Sequence, residues 1–429
     1  MIKKTILLII VLGILSSFSV SAEVLKLKNL LDRVDEENPD MRSAKFLLEN
    51  SRIDVKITQN DLIPELSLSY RHSEDKSRTG AETDSGIYSL TFSQTYPGFF
   101  KITDCLIDIK KLQYKKAEKE FTERRNTILK RGLDFYFKII KAQNEIKVHE
   151  ENLFLINELL NVAKINEQAG FGLYSDVLRV EAEKINIQLQ LIQAQNNLDN
   201  LVLEFKAFMN LKSVEKIIFP EKYKYKAYTE LDIEKIEIDK LPSIELVKKD
   251  MDVLGKSLKI ANYAKLPSVN FSLSSVKTDN ASAPAIKTGA DKEYSLSLTL
   301  SQKLYDSGTT ILMLKQAQKM YEAAKINYDY RLVLKKAEIE KNISKYGENI
   351  KRIEGIEKSS EYVRENMRLV TERFKQGDAG IVELIDAQVL ISNTKLREIT
   401  AYYDERIGLA DYFININYPE GLWRLADED

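Results

Sequence analysis

The chain repeats itself. Asn38-Pro39 opens a segment that reaches Leu62-Ile-Pro64-Glu-Leu-Ser-Leu-Ser69, and Leu241-Pro242 opens another that reaches Lys265-Leu-Pro267-Ser-Val-Asn-Phe-Ser272. Both proline pairs are offset by 203 (242−39 and 267−64). Ser89-Leu-Thr-Phe-Ser-Gln94 returns as Ser297-Leu-Thr-Leu-Ser-Gln302, offset by 208 (297−89). Gly170 with Asp176-Val-Leu-Arg-Val-Glu181 returns as Gly377 with Glu383-Leu-Ile-Asp-Ala-Gln388, offset by 207 (377−170). Landmarks in one order with small drifts mark a tandem duplication of a unit of about 200 residues. The unit joins helical and strand-like segments, and this mixture limits the folds available.

Each copy opens with a shorter helical segment, about 25–62 and 244–264. Pro64 and Pro267 end these segments, because the residue before proline is pushed out of the α region. The apolar period then changes from 3.6 to 2. Leu66, Leu68 and Tyr70 alternate with Ser67, Ser69 and Arg71; Tyr88, Leu90 and Phe92 alternate with Ser89, Thr91 and Ser93. The second copy matches: Val269, Phe271 and Leu273 against Ser268, Asn270, Ser272 and Ser274, then Tyr294 to Leu300 against Ser295 to Ser301. Such alternation predicts strands over about 65–72, 87–94, 268–276 and 294–302, each with one apolar and one polar face. Polar connections, 75–84 and 277–292, separate the members of each pair. Four strands with one apolar face cannot close alone, and their edges would be open. A β-sandwich would need a second sheet, which the sequence does not offer. A barrel shared between subunits answers both problems, with the apolar face toward lipid and the Ser/Thr face toward water.

Pro97-Gly98 and Asp306-Ser307-Gly308 break the pattern after each strand pair. Helical stretches of nearly 70 residues follow, about 100–168 and 310–376, without an internal proline. At 1.5 Å per residue each is roughly 100 Å long if unbroken. Apolar residues recur three and four apart (Ile128, Leu129, Leu133, Tyr136, Ile139, Ile140) among Lys and Glu, the pattern of coiled-coil packing. The glycines of Gly170-Phe-Gly172 and Gly377-Asp-Ala-Gly380 stop these helices. Amphipathic returning helices follow at 176–209 and 381–416, with Ser175 and Asp176 as caps of the first. Short connections make each pair an antiparallel hairpin. The segment 212–240 links the copies, and 418–429 is an acidic tail with the single Trp423.

The N-terminus carries Lys3-Lys4, an apolar run from Thr5 to Leu15 and Val20-Ser21-Ala22. This reads as a secretory signal peptide, residues 1–22, cut before Glu23. The single cysteine, Cys105, excludes an intramolecular disulfide and sits in an apolar helical pattern. Lys+Arg (64) and Asp+Glu (65) nearly cancel, so no basic field for nucleic acid exists. His72 and His149 are far apart; no P-loop, metal-ligand spacing or nucleophile elbow occurs. Neither an enzyme, a cofactor nor a metal is expected.

Signal peptide, duplicated helix–strand pair–helix–helix unit and the Gly-x5-[Asp/Glu]-[Val/Leu]-[Leu/Ile] tip of each copy resemble the TolC family of outer-membrane efflux proteins. The likeness runs from about Leu25 to Asn417, and Gly377 to Gln388 is its most specific segment. The resemblance implies a mixed α and β membrane protein. It would be a homotrimer whose 12-stranded outer-membrane β-barrel, four strands per protomer, continues as a long α-helical periplasmic barrel. The organisation would be 1–22 signal peptide, 23–211 first copy, 212–240 equatorial segment, 241–417 second copy and 418–429 tail. The implied function is an outer-membrane exit duct of tripartite efflux or type I secretion. Its partners would be outer-membrane lipid, a periplasmic adaptor (membrane fusion) protein and an inner-membrane transporter of RND, ABC or MFS type. A secreted periplasmic coiled-coil protein is the alternative; it leaves the four strands unexplained.

The resemblance also places the site. Ser175, Asp176, Phe374, Glu383 and Asp386 match the periplasmic entrance. Gly170, Gly172, Gly377 and Gly380 match the tips that dock the adaptor. Pro64, Pro97, Gly98, Pro267 and Gly308 match the junctions of barrel and helices. Phe374 stands where some members have a gate tyrosine. Ala379 stands where some have an arginine that pairs with the first hairpin. Closure is therefore expected to rest on Phe374 packing or on polar contacts of Ser175. Glu383 and Asp386 lie three apart on one side of their helix. In a trimer they would form carboxylate rings that favour cations. In the first copy Asp176 is followed by Arg179, so only half of that pair is kept.

Overall fold

The computed structural model describes residues 26–76, 82–211, 236–280 and 292–427. The signal-peptide segment, residues 212–235 of the linking segment, and the centres of both strand connections (77–81, 281–291) lie outside the described residues. In chain order the elements are α1 (Leu27–Glu37), α2 (Pro39–Asn60), β1 (Glu65–Lys76), β2 (Glu82–Tyr96), α3 (Lys101–Gln168), α4 (Tyr174–Met209), a 3₁₀ turn (Ile238–Lys240), α5 (Pro242–Tyr263), β3 (Ser268–Asn280), β4 (Lys292–Ser301), α6 (Thr309–Gln376), α7 (Ile381–Asn415) and α8 (Glu420–Asp427). The chain divides into two compact units. One gathers the described residues of Met1–Ser43, Arg124–Ile236 and Lys336–Asp429, and the other Ala44–Glu123 and Glu237–Lys335.

The second unit holds the sheet. Its order is β1-β2-β3-β4, and every pair is antiparallel. The strands run past the expected alternation because ladder pairing continues toward the polar connections, to Lys76 and from Glu82 in the first pair and to Asn280 in the second. Period-2 alternation survives in the register. Leu66, Phe92, Leu273 and Leu296 form one row; Gln94, Phe271 and Leu298 form another. The leucines of this face are bare, with Leu68 76% and Leu298 74% exposed, while Gln94 at the helix end of the sheet is buried. Covering a leucine of this kind is worth about 1.5–3 kcal/mol, so a whole sheet face of them calls for an apolar cover.

The opposite face is a ladder of hydroxyls. Ser69 and Ser89 lie 2.6 Å apart, Ser272 and Ser297 2.8 Å, Ser274 and Ser295 2.7 Å, and Ser268 and Ser301 2.8 Å. Asn270 donates to Thr95 Oγ1 at 2.8 Å. At the other end of the strands, Pro64 and Pro267 stand between helix and strand, while Pro97, Gly98 and Gly308 lie in turns. The Phe99 N–H donates to the Pro267 carbonyl at 3.2 Å, which stitches the helix-side ends of β2 and β3 together. Two ion pairs, Asp108–Lys256 (2.6 Å) and Lys116–Asp250 (2.7 Å), then hold α3 and α5 antiparallel. Cys105 is buried on α3, where burial pushes its thiol pKa up.

The first unit holds the helical core. Leu27, Leu30, Leu31 and Val34 bury one face of α1. On α3, Leu129, Leu133, Tyr136, Phe137, Ile139 and Ile140 are fully buried, as their three–four spacing dictates. The expected single opening helix is instead two. Asn38 Oδ1 accepts the backbone N–H groups of Asp40 (2.9 Å) and Met41 (3.2 Å) and so caps α2, with Pro39 as its first residue. The tail contains the helix α8, and Trp423 Nε1 donates to Asp32 at 3.1 Å. Arg125 ties in beside it, binding Asp35 through two nitrogens (2.7 and 3.0 Å) with its guanidinium over the Trp423 ring.

No helix among the described residues is long and apolar enough to cross a membrane.

Candidate functional site

Two helical hairpins, α3/α4 and α6/α7, end in tight turns built alike. The Gly170 N–H donates to the Glu167 carbonyl and the Phe171 N–H to that of Asn166. In the second hairpin the Gly377 N–H donates to Phe374 and the Asp378 N–H to Arg373. Both are Schellman ends, which place one residue in the left-handed region. Gly170 (φ +77°) and Gly377 (φ +83°) occupy it. Gly172 has a different role: a Cβ there would lie 3.1 Å from Asn166 Cβ and 3.2 Å from the Glu167 nitrogen. Gly380 stands in extended backbone as the N-cap of α7.

The tight first turn corrects the expected caps. Because the chain folds back so closely at Gly172, α4 begins at Tyr174 with Leu173 at its N-cap and no side-chain cap. Ser175 and Asp176 therefore fall inside the first turn. The Asp176 N–H donates to the Leu173 carbonyl at 3.0 Å. Its carboxylate still lies where the positive end of the helix dipole favours it. Ser175 is exposed.

The hairpins pack through an apolar seam. Ile156, Leu160 and Ala163 of α3, Val177, Val180 and Ile187 of α4, and Ile381 and Ile385 of α7 form one buried cluster, with Phe374 packed against it. Phe374 also touches the cluster of Val370, Leu384 and Ala387. Ala379 is buried at 9% exposure and lines a groove of about 670 Å³ between the tips, with Phe171, Asp176, Phe374 and Asp378.

Glu383 and Asp386 of α7 have separate partners. Glu383 Oε1 receives Arg373 Nη1 at 2.5 Å, and Arg373 Nη2 also donates to the Asp378 carbonyl at 3.1 Å. Asp386 Oδ1 meets Arg179 Nη2 at 3.4 Å, a contact from the second hairpin to the first. A basic link between hairpins therefore exists despite Ala379, supplied from α4 instead. In the first hairpin Lys164 and Glu181 pair at 3.0 Å.

Sequence reasoning missed Arg373 and Lys164. A hairpin brings together residues equidistant from its tip. Arg373 and Glu383 are symmetric about Asp378, and Lys164 and Glu181 about the Gly172–Leu173 bond. Reading outward from each glycine tip would have found both pairs. Arg179–Asp386 has no such signal, because it depends on which hairpins are neighbours.

The Outer membrane efflux protein family matches residues 30–210 and 239–410. The Outer membrane protein TolC of Vibrio cholerae is 22% identical over 409 residues, covering 92% of this chain and 90% of that protein. The Toxin and drug export protein A of Aggregatibacter actinomycetemcomitans is 20% identical over 388 residues, covering 88% and 83%. The fold is similar to that of the open-state MtrE outer membrane channel of Neisseria gonorrhoeae, with a TM-score of 0.79 at 18% identity, covering 94% of this chain and 93% of that one. The chain belongs to the outer membrane efflux protein family. It is an outer-membrane exit duct for efflux or secretion, with its helices in the periplasm. The family is one of transport ducts and works in tripartite export systems with an adaptor and an inner-membrane transporter. That membership sets aside the secreted coiled-coil alternative.

Proposed function

We propose that three copies of this chain close one 12-stranded barrel, each giving its four strands. The observation that carries this reading is the sheet itself. It has bare apolar rows on one face, hydroxyls on the other and β1 and β4 as its edges. Pairing β4 of one copy with β1 of the next satisfies both edges, and lipid covers the leucines. The two 68-residue helices and the 36- and 35-residue returning helices support a duplicated chain with copies at 23–211 and 241–417.

The tips form the periplasmic entrance in this reading. Gly170, Gly172, Gly377 and Gly380 shape the surface that docks the adaptor. Phe374 packing and the Arg179–Asp386 pair hold the hairpins together. Glu383, Asp386 and Asp176 set the field at the entrance, around which three-fold symmetry repeats them. The transporter served is of RND, ABC or MFS type. The name of the Aggregatibacter relative supports a cargo drawn from toxins and drugs.

The test uses the full mature chain in detergent and in planar bilayers. A trimer by native mass spectrometry, with discrete cation-preferring conductance, is expected. A monomer that does not conduct would overturn the barrel.

A further inference from the structure

One row of the sheet departs from the leucine pattern. Tyr70 pairs with Tyr88, Tyr88 with Lys277, and Lys277 with Lys292, so these four residues lie side by side across β1, β2, β3 and β4. Strand parity puts all four on the apolar face, as Tyr88 shares it with Leu90, Lys277 with Leu273, and Lys292 with Leu296. The row is the last one on the apolar face before the polar connections with fully described side chains across the sheet, and the next row inward is Leu68, Leu90, Ser275 and Tyr294.

Half of the row is aromatic. The Tyr70 and Tyr88 rings stack with centroids 4.6 Å apart, and Lys277 Nζ lies over the Tyr88 ring, 5.9 Å from its centroid. The other half is cationic. Residues directly opposite on neighbouring strands have Cβ atoms about 5 Å apart, and like charges at that distance repel. Lysine stems rooted this close can bring both ammonium groups to one phosphate, whose oxygens accept charge-assisted hydrogen bonds from both.

We propose that Lys277 and Lys292, flanked by the Tyr70–Tyr88 stack, bind the phosphate of an anionic lipid headgroup in the outer leaflet. The proposal rests on the barrel reading above. The helices leave the sheet at its other end, which puts this row at the outer surface of the membrane. The tyrosine rings seat the boundary between headgroup and acyl chains, the depth such rings favour. The lysine stems run along the apolar face and carry their charges to the headgroup level. Three copies would repeat the site around the barrel.

The test reconstitutes the full mature chain into phosphatidylcholine vesicles with and without diphosphoryl lipid A. Lipid A retained per protein is read by native mass spectrometry, and insertion is scored on the same samples by protease protection. Each lysine near a membrane surface contributes a factor of about five, so Lys277→Gln with Lys292→Gln should cut the lipid A preference by on the order of 10-fold. Lys277→Arg with Lys292→Arg should keep the preference, and so should Lys303→Gln with Lys315→Gln, an equal charge change elsewhere. An inserted double glutamine variant with unchanged preference would overturn the site and leave the barrel standing. An equal fall in the Lys303/Lys315 variant would also overturn it. A native chain that enters neither vesicle would overturn the barrel and the site together.

Discussion

Arg179 of α4 and Asp386 of α7 meet at 3.4 Å, one on each helical hairpin. Both are more than half exposed, at 53% and 66%, so the pair adds only about 0.2–1 kcal/mol to folding. Its consequence is positional. Arg179→Ala and Asp386→Ala should each raise single-channel open probability while leaving global stability within about 1 kcal/mol of native. The double variant should add little to either single change. Strictly additive gating effects would show that the two groups do not act as a pair.

Replacing both Glu383 and Asp386 by alanine does more than remove carboxylates. It leaves Arg373 and Arg179 without those acidic partners at the proposed entrance. Cation preference should therefore weaken and move toward anions, read as a shift of the reversal potential in a salt gradient. An unmoved reversal potential refutes the entrance assignment.

The two faces of the sheet should respond in opposite ways to one charge. Leu298→Arg places a guanidinium on the bare apolar face, a change that costs about 2–4 kcal/mol near a bilayer midplane. Ser297→Arg, its chain neighbour, projects from the hydroxyl face and should cost far less. Urea unfolding from vesicles compares them, and equal losses would count against a lipid-facing leucine row.

Asn38 is 1% exposed and works twice, capping α2 through Oδ1 and donating through Nδ2 to the Phe208 carbonyl at 2.8 Å. Asn38→Ala loses the cap and leaves a buried carbonyl without its donor. A loss of about 2–3 kcal/mol by denaturant unfolding is expected. A loss below about 0.5 kcal/mol would mean that α1 and α2 do not depend on this cap.

His149 gives the fold an acid-sensitive point. It is 8% exposed, its Nδ1 has no hydrogen-bond partner among the described residues, and burial lowers its pKa from the ordinary 6.5. The unfolded chain takes up a proton near 6.5 while the folded chain resists it. The stabilisation is thus complete above 6.5 and falls as pH drops through that value toward the lower folded pKa. His149→Gln should flatten the change in urea midpoint between about pH 7.5 and pH 5. An unaltered slope would assign the acid sensitivity to other groups.

Much of this architecture could be read from local order. Alternation at Leu66 to Tyr70 and at Tyr294 to Leu300 located the strands, and Pro64 and Pro267 marked where helix gives way to strand. The glycines at 170 and 377 located the turns because the left-handed residue of a Schellman end favours glycine. What escaped was partly local and partly non-local. The break at Asn38 is a local side-chain cap followed by proline, tied in place by a carbonyl 170 residues away. Arg179–Asp386 depends on two hairpins being neighbours. The start of α4 at Tyr174 depends on how tightly Gly172 lets the chain turn, which shifted Ser175 and Asp176 from caps to interior positions.

The hydroxyl ladder has one more consequence. Ser69–Ser89, Ser272–Ser297, Ser274–Ser295 and Ser268–Ser301 already donate and accept within each pair. A molecule passing along that face finds wettable oxygens with much of their bonding capacity engaged, and no fixed charge on those serines. In the barrel proposed above, these serines would face the water-filled passage and give a passing molecule little to hold, so dwell times beside them should be short.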